Sequence, residues 1–430
     1  AFVSIKAETP WPACAYSFRM HISVIGLGGD EVAVFLVEPT DTILDLAERL
    51  ALQAGTPAFQ QRILLDGVLL SADSCLGDVG VEDGAQLMVV NVADIPILTA
   101  SADGSARVWD GVSGQCLRTI AGHGGVMCSA VFSSNGAYVL TASDDGTNNA
   151  HVWSTDTGCC ISTLYGHQDL VCSAVFSTDN ELAVTASYDL TARIWRAATG
   201  WCLRTLKGHK GTVYSAAFSK DGASVLTSSD DDTARVWNVR TGRCTQTLRG
   251  HRDEISSAVF SHDGAYALTA SRDHTAMIWD ATTGTCVHKL QGHSKRVCSA
   301  SFSTDGASVI TASRDRMVKV WDARTGTCIL TLEGHTEMVT SAVFSANGAW
   351  ILTASDDKTA RIWDAKSGIC SKTLRGHVDR IYSAVFSAEG ASVLTASEDR
   401  TARIWCSSSG ECICTLDAHR DAVVSASFSR

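Results

Sequence analysis

His209–Gly250 reads HKGTVYSAAFSKDGASVLTSSDDDTARVWNVRTGRCTQTLRG. Val213 to Phe218 is a short apolar run, and Lys220-Asp221-Gly222 after it is turn-forming. Ala223 to Ser228 is a second run, and Asp230-Asp231-Asp232 turns again. Thr233 to Trp237 is a third run, and Val239-Arg240-Thr241-Gly242 leads to a fourth, Cys244 to Leu248. Four short runs joined by tight turns predict one antiparallel sheet. Alone, such a sheet cannot bury both faces; it needs neighbours of its own kind.

The chain supplies them. Gly-His pairs recur at residues 122–123, 166–167, 208–209, 250–251, 292–293, 334–335 and 376–377, with Ala418-His419 as an imperfect eighth. Trp109, Trp153, Trp195, Trp237, Trp279, Trp321, Trp363 and Trp405 keep the same rhythm, 44 residues apart once and 42 thereafter. This period with Gly-His and Trp-Asp marks resembles the WD40 repeat family from about residue 93 to the end. The resemblance implies an all-β propeller, and it implies a relay in each repeat. The indole N–H donates to a Ser hydroxyl, the hydroxyl to the His, and the His to the turn carboxylate. The relay residues are, for example, His209, Ser229, Asp231 and Trp237, or His251, Ser271, Asp273 and Trp279. A His, a Ser and an Asp together also suggest a hydrolase triad. A catalytic site occurs once, whereas this set occurs in every repeat.

Seven His-Ser-Asp-Trp sets are complete, from His123/Ser143/Asp145/Trp153 to His377/Ser397/Asp399/Trp405. Ser101, Asp103 and Trp109 lack a preceding His, and His419 lacks everything after it. The fragments are complementary, so Ala422 to Phe428 is expected to supply the inner strand of an eighth blade. The expected architecture is an eight-bladed ring over residues 93–430, closed by its two chain ends. The alternative is seven blades with surplus strands, or an open fragment of a longer protein. Closure would remove exposed sheet edges.

Cysteines at 116, 160, 202, 244, 286, 328, 370 and 412 each follow a tryptophan by seven residues. Equivalent positions on neighbouring blades lie beyond the ~7 Å between Cα atoms that a disulfide tolerates. They are expected to be reduced thiols, buried as small hydrophobes. That usage points to the cytoplasm or nucleus.

Residues 20–92 have another texture. They hold eleven acids and two bases, a net −9 of the chain's −11. His21–Ile25 and Val32–Val37 read as strands around a Gly-rich hairpin. Thr42 reads as a helix cap with Asp45 three residues on, and Ile43, Leu46, Ala47 and Leu50 form a helical stripe. Arg62–Leu65 and Leu87–Val90 read as further strands. The stretch Val37-Glu38-Pro39-Thr40-Asp41-Thr42-Ile43 and the pattern Pro57-x-x-Gln60-Gln61-Arg62 resemble ubiquitin, which implies an α+β ubiquitin-like β-grasp domain. Its recognition patch would fall on Leu27, Leu64 and Val90. No Gly-Gly follows Val92, and no lysine lies between Lys6 and Lys207. The resemblance therefore implies a docking module that is neither conjugated nor extended through lysine. Met88-Val89-Val90 also sits one period before Ala130-Val131-Phe132, but is assigned to the front sheet. The short linker Ala93-Asp94-Ile95-Pro96 is expected to couple the two modules stiffly. Residues 1–19 lack the basic start and apolar core of a secretory leader and stay unassigned.

Function is expected on the propeller face formed by the Gly-His loops and the loops before the Trp strands. There Arg252, Arg272, His274, Lys295, Arg296, Arg314 and Arg316 form a basic sector. Asp144, Asp230, Asp232, Asp356 and Glu398 make the rest more acidic. A basic sector suits an acidic or phosphorylated peptide. Net acidity and the lack of aromatic-basic interleaving count against nucleic acid. No apolar run is long enough for a bilayer. No nucleophile motif, phosphate loop or metal spacing stands outside the repeat, so neither catalysis, cofactor nor metal is expected. The expected role is a non-catalytic scaffold or adaptor, with the ubiquitin-like domain docking on a proteasome or ubiquitin-ligase component. The alternative is a general scaffold in signalling or RNA-associated complexes.

Overall fold

In the computed structural model, the described residues are 20–25, 31–43, 45–46, 49–50, 61–65, 68–70, 75–91 and 96–429. The chain divides into two compact units between Asp94 and Ile95.

The first unit is a five-stranded sheet of β1 (Met20–Ile25), β2 (Glu31–Val37), β3 (Gln61–Leu65), β4 (Val68–Leu69) and β5 (Gln86–Asn91), in the order β2-β1-β5-β3-β4. β5 runs parallel to β1 and antiparallel to β3, so Met88-Val89-Val90 belongs to this sheet. Thr42 and Asp45 cap the helical segment reciprocally: Asp45 N donates to Thr42 Oγ1 (3.1 Å) and Thr42 N to Asp45 Oδ2 (2.8 Å). The stripe residues Ile43, Leu46 and Leu50 are buried against Ile22, Val24, Ile63 and Leu87. Ala47 and the hairpin 26–30 lie outside the described residues.

The described residues of the second unit form eight four-stranded sheets with strands a to d: blade I (97–121 with 423–428), II (126–164), III (171–207), IV (213–249), V (255–290), VI (297–332), VII (339–375) and VIII (381–416). Blade IV is Val213–Phe218, Ser224–Ser229, Thr233–Asn238 and Cys244–Arg249, paired in sequence order. The a–b turn explains the local geometry. Asp221 Oδ1 accepts from Ser219 Oγ (2.6 Å) and Ala223 N (3.0 Å), while Gly222 takes φ +67°. A side chain at that φ would be strained, so glycine fits.

The apolar core lies between blades. Val184, Ala186, Ile194 and Leu206 of blade III pack against Val213, Ala216, Val225 and Trp237 of blade IV. Every blade shares its two faces in this way, so none is complete without both neighbours.

Blade I is assembled from both ends of the unit. Val423–Phe428 is its strand a, antiparallel to Ile97–Ser101, with Ser105–Trp109 and Cys116–Ala121 outside. Val423 and Ala426 are buried against Leu394, Ile404 and Leu416 of blade VIII. On the other side Leu98, Ala100 and Val108 pack against Met127 and Trp153 of blade II. The ring is therefore closed, with no surplus strand among the described residues.

The cysteines correct the expectation of burial. Cys116, Cys160, Cys202, Cys244, Cys286, Cys328 and Cys412 are exposed and Cys370 is half-buried. The cause is position: they begin strand d, which has a neighbour on one side only. Seven of the eight thiols turn back on their own strand, as Cys244 Sγ does onto Gln246 O (3.1 Å). All fifteen cysteines among the described residues are free thiols.

The loop face as candidate functional site

Each blade holds one buried relay, and its hydroxyl is not the expected Ser. Trp237 Nε1 donates to Thr227 Oγ1 (2.9 Å), His209 Nε2 meets the same oxygen (2.7 Å), and His209 Nδ1 lies 3.0 Å from Asp231 Oδ2. With the proton on Nδ1, the imidazole donates to Asp231 and accepts from Thr227. Thr227 stands two residues before the expected Ser229, on the same side of strand b. The indole, opposite Val225, reaches Thr227 and no further. Ser229 instead donates to Gly211 O (3.1 Å) and accepts from Asp231 N (3.1 Å), tying the two loops together. Ser271 does the same between Asp253 O and Asp273 N, while Thr269 bridges Trp279 and His251. Threonine recurs at this position in every repeat, as serine does two residues later, so recurrence alone could not choose between them.

The eighth relay spans the chain ends. His419 Nε2 is 2.7 Å from Thr99 Oγ1, which takes the Trp109 indole N–H (2.8 Å), and His419 Nδ1 is 3.1 Å from Asp103 Oδ2. Ser101 Oγ donates to Asp421 O (3.0 Å).

Electrostatically the relays are alike. Burial alone would raise the Asp231 carboxyl. Hydrogen bonds from His209, Thr233 and the Lys210 N–H outweigh it and hold Asp231 well below the usual carboxylate range. In blade II, burial lowers the His123 imidazole. Burial and then the nearby His123 push His151 down to about 4.

Chemically these sets are closed. The His209 side chain is 1% exposed and Thr227 is fully buried. The hydroxyl is already bonded to an indole and an imidazole, leaving no path for substrate. Among the described residues no group of three or more His, Cys, Asp or Glu could hold a metal ion. Thr227→Val should orphan both ring nitrogens and cost about 1–3 kcal/mol for each buried group left unpaired. The midpoint of urea unfolding measures this, and Thr227→Ser, which keeps the hydroxyl, should recover most of it.

The basic sector is partly neutralised. Glu254, a nearly buried acid that sequence reading passed over, holds Arg296 (2.6 Å) and Arg272 (3.7 Å). Asp253 also approaches Arg272 (4.0 Å). Arg316 donates to Thr336 O (3.4 Å). Arg252, His274, Lys295 and Arg314 are exposed on the same loops. In the first unit, the pairing puts Leu64 opposite Met88 and Val90 opposite Arg62, on adjacent strands. Their side chains, and Leu27 altogether, lie outside the described residues.

Residues 114–148, 158–196, 200–238, 242–280, 284–322, 326–364 and 368–406 match the model of the family described as "WD domain, G-beta repeat", together more than half the chain. The chain belongs to the WD40-repeat family. Of the blade built from both ends, the seven matched segments include only the outer strand Cys116–Ala121. Residues 21–91 match the ubiquitin family, so a ubiquitin-like domain precedes the WD40 repeats. The crystal structure of the computationally designed Ika8 protein superposes with a TM-score of 0.66 at 28% identity, over 73% of this chain and 93% of that one. Curated relatives match only locally. Nuclear distribution protein PAC1 of Mycosarcoma maydis is 42% identical over 45 residues, 10% of each chain. PAC1-2 of Uncinocarpus reesii (strain UAMH 1704) is 39% identical over 51, 12% of this chain and 11% of that protein. This chain thus spans about a tenth of the length of those relatives. Among the described residues no helix is long and apolar enough to cross a membrane.

Proposed function

We propose that this chain is a non-catalytic adaptor. Its WD40 propeller holds a protein or peptide client on the loop face, and its ubiquitin-like domain docks on a proteasome or ubiquitin-ligase component. One observation carries the first half. The relays repeat with the same geometry in blade after blade, whereas the loop residues beside them diverge into charged sectors. Scaffold positions are fixed by packing, and recognition is free to vary around them. The basic arc of Arg252, Lys295, Arg314 and Arg316 suits acidic or phosphorylated side chains. The second half rests on the ubiquitin-family match and on the absence of lysine between residues 20 and 92. Free thiols on the exposed outer strands suit a reducing compartment, cytoplasm or nucleus.

Two variants test the halves separately. R272E with R314E should abolish binding of an acidic client peptide, and unchanged binding rejects the basic arc. Leu64→Ala with Val90→Ala should lose purified proteasome in a pull-down with the full chain. Equal recovery would favour a scaffold without a ubiquitin-pathway role.

A further inference from the structure

Eight near-identical blades are each other's controls. Packing demands at equivalent loop positions are the same, so a blade that departs from the rest has another reason to do so. Blade III departs at two positions, and a third beside them is also apolar.

The first is Tyr188, the residue after the strand-b serine, 41% exposed. Its counterparts are Ala102, Asp144, Asp230, Arg272, Arg314, Asp356 and Glu398. The second is Leu190, 40% exposed and at φ +67°. That turn position holds Gly or a polar residue in every other blade, such as Gly104, Asp232 or Lys358. Positive φ recurs at this position in every blade, but a leucine there is strained where glycine is not, and it leaves apolar surface exposed. The third is Leu170, half-buried, whose carbonyl accepts from Tyr188 N (2.9 Å). The same position is polar in blades IV, V, VI and VIII (Thr212, Glu254, Arg296 and Arg380) and apolar in blades I, II and VII (Ala422, Val126 and Met338). No other blade places a large apolar or aromatic side chain at all three; blade I, with Ala422, Ala102 and Gly104, offers only small ones.

The patch continues to both sides. Tyr188 meets Tyr214 of blade IV edge to face, with ring centroids 6.2 Å apart. Val126 of blade II, 44% exposed, pairs with Asp144. Tyrosine is enriched in binding hot spots, and a cluster of exposed apolar side chains marks an interaction site.

Charge around the patch selects what it would hold. In the loop-face turns of blades II–IV, four acids stand outside the relays: Asp144, Asp169, Asp230 and Asp232. Lys210 is the one cation there among the described residues. Burial and then the neighbouring Asp253 and Asp230 raise the Asp232 carboxyl, as crowded like charges do.

We propose that the Leu170–Tyr188–Leu190 patch is the anchor site for a partner segment with one or two apolar or aromatic side chains flanked by Lys or Arg. This deepens the loop-face reading above and rests on it. It also orients the client. Its basic, apolar part lies over blades II–IV and any acidic part over the basic arc of blades V and VI.

The sister blade supplies a variant expected to fold. L170T/Y188D/L190D writes the blade IV residues Thr212, Asp230 and Asp232 into blade III, and Asp232 already occupies this turn at φ +60°. The melting temperature should not fall. A random nine-residue peptide library displayed on phage is panned on the full chain, and clones are then tested on this triple variant and on R272E/R314E. The expected clones carry Leu, Phe, Tyr or Trp within two residues of Lys or Arg, and the triple variant weakens them at least tenfold. Clones bound equally by the triple variant overturn the proposal. So do acidic clones lost only in R272E/R314E, although the loop-face reading then survives. Failure to enrich any clone sensitive to either variant overturns both. Concentration-dependent dimers in sedimentation that the triple variant dissolves would make a second copy the occupant, and would also overturn it.

Discussion

Deleting residues 418–430 is expected to leave no cooperatively folded propeller. The deletion removes one strand, but its consequences fall on three blades. Val423 and Ala426 leave the core shared with blade VIII. Burying a side chain of valine's size contributes about 1.5–3 kcal/mol. Val424 leaves the contact with blade II. His419 no longer meets Thr99 and Asp103, so the buried Trp109 relay loses a member. Ile97–Ser101, fully buried in the intact ring, becomes an unpaired apolar edge. Such an edge templates association with another chain. The truncated chain should unfold without a sharp transition and aggregate as its concentration rises. A synthetic peptide of residues 418–430 should restore the transition in trans. A truncated chain that melts like the full one would mean that blade I does not need its C-terminal strand.

The second large effect is acid sensitivity. Burial would raise the eight turn carboxyls, Asp103, Asp145, Asp189, Asp231, Asp273, Asp315, Asp357 and Asp399. Hydrogen bonds from the paired imidazoles and from turn hydroxyls and N–H groups lower all of them below the ordinary carboxylate value. A carboxyl with a lowered folded pKa stabilises the fold fully above its unfolded pKa of about 4. That stabilisation is lost as pH falls through the folded value. His123, His151 and His419 are lowered chiefly by burial, so the unfolded chain binds their protons first, below about pH 6.5. Stability should therefore decline modestly from pH 6.5 to 4 and steeply below 4. Urea midpoints across pH 7 to 2.5 measure it. In that series Asp231→Asn should start lower and show a shallower acid limb. A midpoint flat down to pH 3 would contradict the relay electrostatics.

Much of this was legible because the sequence repeats. The 42-residue period, the unmatched His419 and the headless Ser101-Asp103-Trp109 set together specify a shared blade, since a buried His without its partners would be costly. The choice of Thr227 over Ser229 was not legible. Both hydroxyls recur without exception, and the decision rests on how far an indole reaches along strand b. The exposure of the cysteines depends on which strand is outermost, which a linear pattern does not state. At the loop face, attention to charge picked out Arg272 and Arg296 but missed Glu254, the acid that holds both. It also missed Leu170, Tyr188 and Leu190, which become visible only when blades are compared position by position.

Backbone hydrogen–deuterium exchange of the intact chain tests the closure most directly. Leu98, Thr99 and Ala100 pair with Ser427, Ala426 and Ser425 across the chain ends, as Leu226, Thr227 and Ser228 pair with Ala217, Ala216 and Ser215 inside blade IV. If the ring is closed as described, amides of 97–101 and 423–428 exchange as slowly as those of 213–218 and 224–229. Exchange of the two terminal segments within seconds, beside slow exchange in blade IV, would show that the eighth blade is not formed.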